Sequence, residues 1–379
     1  MIFSKQNSSI DKKKIKILHI DTSKSWRGGQ QQVIYLHSSL HKKKYQTILL
    51  VQPNSSLENY CIRNKLPYQS CRMRNEIDIY AAYKISKFCK KNYISLLHLH
   101  TAHALSIGLL TKCFMKNLKL IGVRRVDFHI HNCFSRLYKY NNPLLNKIVC
   151  ISDGIKKILL DDEIKPNKLI TIHSGIDIHK FDNIECDNEF RLKYKIPNDD
   201  IIVGTVAAIV DHKDYPNLIG AAKIVLEKKD NVTFIALGEG ELEEKMKKQA
   251  KDFNISNKFH FLGFHHAIGS ILKNFTFFVM SSKWEGLGTS ILDAQSLGLP
   301  VIATRTGGIP EIIKHNQNGL LVSPGDSKEL ANAILFLTEN PQLQAQFSKV
   351  AKQSVKDFDI SRTVQKNINL YKELLCESS

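Results

Sequence analysis

Short apolar runs rich in β-branched residues alternate along the chain with longer stretches in which apolar residues recur every three or four positions. The first half holds six such runs, which predict strands at residues 15–21, 46–52, 94–100, 118–123, 146–152 and 168–175. The second half restarts the pattern with six more, at 200–209, 231–238, 258–264, 275–282, 300–308 and 319–326. Strands that alternate with amphipathic helices are typical of parallel sheets with crossover helices. The pattern therefore predicts an α/β fold with two doubly wound, Rossmann-like sheets.

The same pattern divides the chain into two domains, which suits a length of 379 residues. A polar segment at 182–197 separates the two sets of strands, so we predict an N-terminal domain over 1–182 and a C-terminal domain over 183–359. The last amphipathic stretch, 360–379, predicts a helix that could pack on either domain, the first included. Ligands of open α/β sheets bind outside the carboxyl ends of the strands, so we expect the site in a central cleft that the two domains face.

The formal net charge of +18 favours an anionic partner. Nucleic acid, an anionic membrane surface and a phosphorylated substrate all remain open, as does a lysine-rich surface without a specific partner. The basic runs at 12–14, 42–44 and 90–91 all lie in the first half, which favours contact of that half with a membrane. No run approaches 18 apolar residues and the N-terminus lacks a signal-peptide core. We therefore expect a cytoplasmic protein whose membrane contact is peripheral.

Cysteine spacing and acidic motifs argue against a bound metal. The eight cysteines form no CxxC pair, which predicts reduced thiols and no thiolate metal site. The triplet DFD at 357–359 precedes the last predicted helix rather than ending a strand, so it predicts a helix cap.

The segment EGLGTSILD at 285–293 carries the strongest candidate chemistry. It predicts a loop that leads into a helix, and the backbone N–H groups at a helix start, together with hydroxyl side chains, suit a phosphate. Glu285 precedes that anion site, and Asp293 lies about one helical turn beyond it. Carboxylates accept paired hydrogen bonds from vicinal hydroxyls, so the two acids suit sugar and ribose hydroxyls on either side of a diphosphate.

With GLPVIAT at 298–304 and GGIPE at 307–311, this segment resembles the donor-binding motif of the family-4 retaining glycosyltransferases. That family has an EX7E motif, and here the second acid is Asp293, whose reach is one methylene shorter. The resemblance implies the GT-B architecture of two Rossmann-like domains and metal-independent transfer. It also implies that Glu285 holds hydroxyls of the donor sugar near the reacting carbon, and that Asp293 holds the ribose.

The resemblance extends over nearly all of the chain. WRGGQQQVIYLHSSL at 26–40 is similar to the family's glycine pair at the first helix, which would put Gly28 and Gly29 against the donor phosphates or the reaction centre. ISDGIKKIL at 151–159 and IHSGID at 172–177 are similar to the segments that lead out of the N-terminal domain.

Two positions depart from the family pattern. In TVAAIVDHKDYPN at 205–217 the family's diphosphate-binding lysine is matched by Lys213, but Ala208 stands at its arginine position. We expect Arg124 or Arg125 to supply the missing charge. Arg125 also lies near the place of the family's N-terminal-domain histidine, with His129 just beyond it.

His100 ends the preceding strand, and histidines at such an edge suit hydroxyl recognition or proton transfer near neutral pH. No general base is identified from the sequence. The expected catalytic residues are Glu285, His100, Arg125 and His129, and the expected donor-binding residues are Gly28, Gly29, Lys213, Gly288, Thr289, Ser290 and Asp293.

The sequence therefore favours a retaining hexosyltransferase that uses a nucleotide-diphosphate-sugar and glycosylates a hydroxyl of a cell-envelope glycan or glycolipid. No metal, further cofactor or nucleic acid is expected as a partner. The expected location is the cytoplasm, and contact with the inner face of the cytoplasmic membrane stays open. A GT-B sugar-nucleotide epimerase is the alternative enzyme. A nucleic-acid-binding protein is a remote one, because the sequence contains no recognisable module of that kind. A nicotinamide dehydrogenase is disfavoured because no GxGxxG follows the first strand.

Overall fold

The computed structural model describes residues 15–130, 135–265 and 267–376. The chain forms two compact units. Unit 1 extends to Ser174 and includes the C-terminal segment from Ile360, and unit 2 runs from Gly175 to Asp359. The basic run at 12–14 lies outside the described residues.

The boundary between the units falls at Ser174 rather than at residue 182, because the segment after Gly175 is bonded to unit 2. The Ile176 N–H donates to the Phe358 carbonyl at 3.0 Å, and Phe181 packs against Gly269. In the triplet DFD, Asp357 and Phe358 belong to a 3₁₀ turn, Val355–Phe358. Asp359 forms a β-bridge with Ile176.

Unit 1 is a seven-stranded sheet in the order β3-β2-β1-β4-β5-β6-β7, with every pairing parallel. Its strands are β1 Lys16–Ile20, β2 Gln46–Val51, β3 Tyr68–Ser70, β4 Leu96–Leu99, β5 Lys119–Arg124, β6 Lys147–Cys150 and β7 Leu169–Thr171. Its helices are α1 Gly28–Lys42, α2 Ser56–Arg63, α3 Ile79–Asn92, α4 Ala102–Phe114, α5 Asp153–Asp161 and the C-terminal α14 Ile360–Cys376. A π-type turn, Ser135–Tyr140, and a 3₁₀ turn, Pro166–Lys168, complete it.

Unit 2 is a six-stranded parallel sheet in the order β10-β9-β8-β11-β12-β13. Its strands are β8 Ile201–Val206, β9 Val232–Leu237, β10 Phe259–Phe261, β11 Phe277–Met280, β12 Val301–Thr304 and β13 Gly319–Val322. Its helices are α6 Phe190–Lys193, α7 Tyr215–Leu226, α8 Glu243–Asp252, α9 Gly269–Leu272, α10 Thr289–Ser296, α11 Ile309–Ile312, α12 Ser327–Thr338 and α13 Pro341–Ser354. The predicted α/β fold with two Rossmann-like sheets is confirmed, with one additional strand, β3.

The apolar runs form strands because both faces of each sheet are covered. All residues of β4, β9, β11, β12 and β13 are buried, as expected of parallel strands beneath crossover helices. Short polar side chains begin the helices that follow: Asp78 accepts a hydrogen bond from the Ala81 N–H, and Thr101 accepts one from the Ala104 N–H.

The strand order places a topological switch point in each sheet. In unit 1 it lies between β1 and β4, and in unit 2 between β8 and β11. The connections leave these strand pairs toward opposite sides, which opens a crevice at the carboxyl ends where α/β proteins bind ligands. The residues that follow these four strands are therefore the ones to inspect for chemistry.

Candidate functional site

The switch point of unit 2 brings Lys213 and Glu285 together. Lys213 ends the 3₁₀ turn Asp211–Lys213 after β8, and Glu285 lies in the loop after β11. The Lys213 ammonium and the Glu285 carboxylate form an ion pair in which both side chains are largely buried. Ser282 donates a longer hydrogen bond of 3.4 Å to the same carboxylate oxygen. The pair places a fixed cation and a hydroxyl-accepting carboxylate side by side at the carboxyl edge of the sheet.

Hydrogen bonds between loops hold this pair in place. The Ser281 hydroxyl donates to the Lys213 carbonyl at 3.0 Å, which joins the loops after β11 and β8. The loop after β12 is joined in turn, since the Thr306 hydroxyl donates to the Lys283 carbonyl at 2.8 Å and the Gly308 N–H donates to the Glu285 carbonyl at 3.1 Å. The backbone around Glu285 is thus anchored to both neighbouring strand ends, which preorganises its side chain.

The start of α10 has the geometry of an anion site. Gly288, the residue before the helix, has φ of 92°, a left-handed conformation that favours glycine, and the Glu285 Cγ lies near it. Among the residues that the structure describes, no side chain caps this helix start. The first N–H groups of an α-helix have no partner within the helix, so those of the half-buried Thr289 and Ser290 can bind phosphate oxygens.

Asp293 lies one turn further along α10 and is buried. Its Oδ1 is 2.7 Å from the Lys180 Nζ, and both side chains are mostly shielded from water. Burial raises the pKa of Asp293, and the charge of Lys180 opposes that rise. Lys180 was not predicted from the sequence, because it stands in the segment before the first strand of unit 2, far from the motif.

The start of α1 in unit 1 packs closely against Arg125. Gly28 and Gly29 are the first two residues of α1, which follows the switch-point strand β1. A Cβ added at Gly29 would lie 3.3 Å from the Arg125 Cδ, so glycine lets the arginine stem cross the helix start. Burial lowers the pKa of Arg125 to about 10, and the charge of Asp21 opposes this shift.

Asp21 is the buried carboxylate directly after β1. It accepts hydrogen bonds from the Ser23 N–H at 2.8 Å and from the Gln30 side-chain amide at 3.1 Å. Burial raises its pKa, while these hydrogen bonds and Arg125 lower it. Asp21 was not predicted as a site residue. Its position at the carboxyl end of the first strand, a few residues before the glycine pair, could have identified it from the sequence.

The two neighbouring arginines differ in their contacts. The Arg124 guanidinium donates to the Phe128 carbonyl at 2.6 Å and to the Tyr140 hydroxyl at 3.2 Å, so it is bound within its own unit. Among the described residues, the buried Nε atoms of both arginines have no hydrogen-bond partner, so the difference lies in the terminal nitrogens of Arg124, which Phe128 and Tyr140 engage. Arg125 is therefore the better of the two candidates for binding an anionic or hydroxylated ligand.

His100 belongs to a buried histidine cluster. His19 of β1 and His98 of β4 are paired in register, and His100 follows on the same face. The His19 Nδ1 and the His100 Nε2 lie 3.0 Å apart, and the His98 Nδ1 is 2.7 Å from the Tyr371 hydroxyl of α14. Burial lowers the pKa of His98 to about 3 and lowers the pKa of His100 well below its ordinary value. His100 therefore offers a neutral imidazole near pH 7, not an imidazolium.

Three of the expected catalytic residues line one cavity of about 910 Å³ in unit 1. His100 and Arg125 lie on its wall, and so does His129, whose Nδ1 is 2.8 Å from the Asp162 carboxylate. The remainder of the wall is largely apolar and includes Leu109 and Phe128. The fourth expected residue, Glu285, belongs to unit 2, where it lies among the expected donor-binding residues.

A metal could be held by the histidine cluster. One ring nitrogen from each of His19, His98 and His100 lies within 4.8 Å of the others, and neutral imidazoles are the ligand form. The positive charge of Arg125 lowers the pKa of His98 and His100, so it lies close enough to disfavour a cation there as well. Metal-independent transfer stays a prediction. Within the described residues, no helix is long and apolar enough to cross a membrane.

Comparison with known proteins also divides the chain into two parts, between residues 180 and 187. The model of Glycosyltransferase Family 4 matches residues 10–180, and the model of Glycosyl transferases group 1 matches residues 187–354. The UDP-Gal:alpha-D-GlcNAc-diphosphoundecaprenol alpha-1,3-galactosyltransferase of Escherichia coli is 25% identical over 387 residues, covering 96% of this chain and 98% of that protein.

Solved structures share the fold across the whole chain. A glycosyltransferase from Rickettsia africae ESF-5 superposes with a TM-score of 0.85 at 21% identity, covering 95% of this chain and 98% of that one. Anabaena Alr3699/HepE in complex with UDP superposes with a TM-score of 0.83 at 20% identity, covering 95% of this chain and 100% of that one. The two halves of the chain are thus a family-4-like domain and a group 1 domain of a GT-B glycosyltransferase.

Proposed function

We propose that this protein is a retaining glycosyltransferase that moves a hexosyl group from a UDP-sugar to a hydroxyl of a cell-envelope glycan or glycolipid. The observation that carries the proposal is the Lys213–Glu285 ion pair beside the glycine-initiated start of α10, at the switch point of unit 2. The names of similar proteins support the substrate classes. The E. coli protein uses UDP-Gal and a diphosphoundecaprenol-linked acceptor, and the Anabaena protein binds UDP and UDP-glucose.

Unit 2 supplies the donor contacts in this proposal. The N–H groups of Thr289 and Ser290 bind diphosphate oxygens, and Lys213 stabilises the negative charge that develops as the diphosphate leaves. Glu285 accepts hydrogen bonds from hydroxyls of the transferred sugar. Asp293 accepts hydrogen bonds from the ribose, and the charge of Lys180 opposes the rise in its pKa that burial causes.

Unit 1 supplies the acceptor contacts. We assign the acceptor to the 910 Å³ cavity, with Arg125 and His100 at its polar part. A neutral imidazole both donates and accepts a hydrogen bond, which suits recognition of a hydroxyl. The resemblance to retaining enzymes implies that the leaving phosphate takes the acceptor proton, so no side chain is assigned as general base. Gly28 and Gly29 stay assigned to the donor side by the same resemblance.

Nucleotide binding provides the first test. We expect UDP to raise the melting temperature of the full chain more than GDP, ADP or CMP does, because a ligand that binds only the folded state stabilises it. Salt-sensitive binding of DNA or RNA, with no response to any of the four nucleotides, would contradict the proposal. Conversion of a UDP-sugar to another sugar nucleotide without acceptor would indicate an epimerase. Transfer that is lost with EDTA and restored by a divalent cation would contradict metal-independent transfer.

Matched variants separate the roles of the acids. We expect Glu285→Gln to retain UDP binding but to lose at least 100-fold in transfer, because the sugar loses its carboxylate contact. Asp293→Ala should weaken UDP binding itself, by roughly 10-fold for the loss of a charged hydrogen bond. The control is Glu244→Gln, on the exposed face of α8, which should change neither quantity. Isothermal titration measures UDP binding, and a UDP-release assay measures transfer. Equal, mild effects of Glu285→Gln and Asp293→Ala would place the site elsewhere.

A further inference from the structure

Large exposed apolar side chains are concentrated in unit 1, and several of them border the acceptor cavity. Ile79, Tyr80 and Tyr83 lie on α3 with exposures of 61%, 64% and 42%. The Tyr83 ring contacts the ring of Phe114, the last residue of α4, with 5.6 Å between their centroids. We call this surface of the two helices the α3–α4 face.

The α3–α4 face is continuous with the cavity. Ile77, which is 77% exposed, precedes α3 and lines the cavity, and Tyr138 lines it on the Ser135–Tyr140 turn. The Lys139 ammonium bonds to the Glu76 carboxylate at 3.0 Å, which joins these two sides of the wall. A molecule whose apolar part lay on the α3–α4 face could therefore enter the cavity with its polar part.

The face is basic as well as apolar. No aspartate or glutamate occurs from Ile79, where α3 begins, to Phe114, where α4 ends, whereas that stretch contains five lysines. The Lys84 Nζ lies 4.4 Å from the centre of the Tyr80 ring, and the Lys87 Nζ lies 4.8 Å from that of Tyr83. Two further lysines, at 90 and 91, end the helix. The acids at the border of the face are Asp78, which caps α3, and Glu76, which is paired with Lys139. Exposed aromatic rings beside lysines on these helices suit the headgroup region of an anionic bilayer.

We propose that the α3–α4 face binds the surface of an anionic lipid bilayer, and that the acceptor which enters the cavity of unit 1 is anchored in that bilayer by a lipid. The second clause rests on the function proposed above, whereas the first stands on the exposed side chains and charges alone. A bilayer is favoured over an acidic protein because the face presents large aromatic and aliphatic side chains together with the lysines.

Vesicle flotation tests the proposal with the full chain. We expect the protein to float with vesicles of phosphatidylcholine and phosphatidylglycerol (7:3) and to stay at the bottom with pure phosphatidylcholine, with binding reduced at 0.5 M salt. Lys84→Glu/Lys87→Glu should weaken the partition by roughly 30-fold or more, about 5-fold for each lysine charge removed. Ile79→Ser/Tyr80→Ser should weaken it at least 10-fold.

Matched controls lie on unit 2. Lys245→Glu/Lys248→Glu has the same spacing on α8, and Leu192→Ser/Phe336→Ser removes two exposed apolar side chains. Both controls should float like the parent. The proposal would be overturned if the protein did not float, or if the variants and the controls weakened flotation equally. It would also be overturned if the protein did not float but formed a dimer that Ile79→Ser/Tyr80→Ser abolished. UDP titration on the same samples separates the two proposals, because UDP binding without flotation contradicts only this one.

Discussion

Mild acid should destabilise unit 1 selectively, because this unit buries four imidazoles whose pKa values are lowered by burial. Burial lowers the pKa of His37 from 6.5 to about 4 and that of His98 to about 3, and it lowers those of His19 and His100 well below 6.5. Between these values and 6.5 the unfolded chain binds more protons than the folded one. The stabilising contribution is therefore complete above pH 6.5 and is lost progressively as the pH falls below it.

The size of this loss of stability follows from the pKa values of His37 and His98. At pH 5 an unfolded imidazole gains about 2 kcal/mol from protonation that the buried one does not, so His37 and His98 together cost about 4 kcal/mol. His19 and His100 add to this with the same sign. Asp21 acts in the opposite direction, because its pKa is raised and the folded state binds its proton more readily. A loss of about 4 kcal/mol is a large part of the stability of a domain.

The two tryptophans of the chain allow the units to be observed separately. Trp26 packs against Tyr60 in unit 1, and Trp284 lies in the loop after β11 in unit 2. Urea unfolding of Trp284→Phe therefore reports unit 1, and unfolding of Trp26→Phe reports unit 2. We expect the Trp26 midpoint to fall by roughly 1 to 2 M between pH 8 and pH 5.

The Trp284 midpoint should fall less, because in the described part of unit 2 burial lowers a histidine pKa only at the half-buried His260. The exposed His179 has a raised pKa, through its bond to Asp182, and this acts with the opposite sign. A Trp26 midpoint that did not change between pH 8 and pH 5, or that moved in parallel with the Trp284 midpoint, would refute this reasoning.

Four substitutions test individual contacts of unit 1. Gly29→Val should lower the transfer rate at least 10-fold, because the branched side chain displaces the Arg125 stem, while the melting temperature stays within about 2 °C of the parent. An unchanged rate would show that this contact is dispensable. Arg124→Lys should lower the free energy of unfolding by about 1 to 3 kcal/mol, because it loses the hydrogen bonds to Phe128 and Tyr140. Arg125→Lys should instead lower the rate of glycosyl transfer and leave urea unfolding unchanged. Tyr371→Phe should cost about 1 kcal/mol in urea unfolding through its bond to His98, and an unaltered midpoint would argue against that bond.

The sequence was sufficient for the fold because the strands of a parallel sheet are continuous apolar runs. The strand that it missed, β3 at Tyr68–Ser70, is a three-residue edge strand with two exposed residues, so it leaves no apolar run to detect. The two units divide at Ser174, whereas the prediction followed the polar segment at 182–197, because the contacts that join Ile176 and Phe181 to unit 2 leave no local pattern. Boundaries of this kind depend on long-range packing, which a local pattern does not contain.

The candidate site was predictable where a motif is local and not where it depends on pairing across the fold. Gly288 and the hydroxyls after it could be assigned from a single segment. The Lys213–Glu285 pair joins two loops 72 residues apart in the chain, and the resemblance supplied each residue but not their contact. His19 and His98 were overlooked because each looks like an isolated histidine, although the spacing of His98 and His100 places both on one face of the predicted strand 94–100.

Asp293 shows how a departure from the family pattern can be compensated within the same unit. The Asp293 carboxylate on α10 is buried, and burial favours its neutral form, which is not a charged acceptor of hydroxyl groups. Lys180 reaches that carboxylate from outside the motif and opposes this effect at a distance of 2.7 Å. Because a buried charge is tolerated when it is paired, the shorter acid and Lys180 are best understood as one unit of recognition. In the function proposed above, the Asp293–Lys180 pair takes the place of the family's second glutamate, and the sequence motif contains only half of that pair.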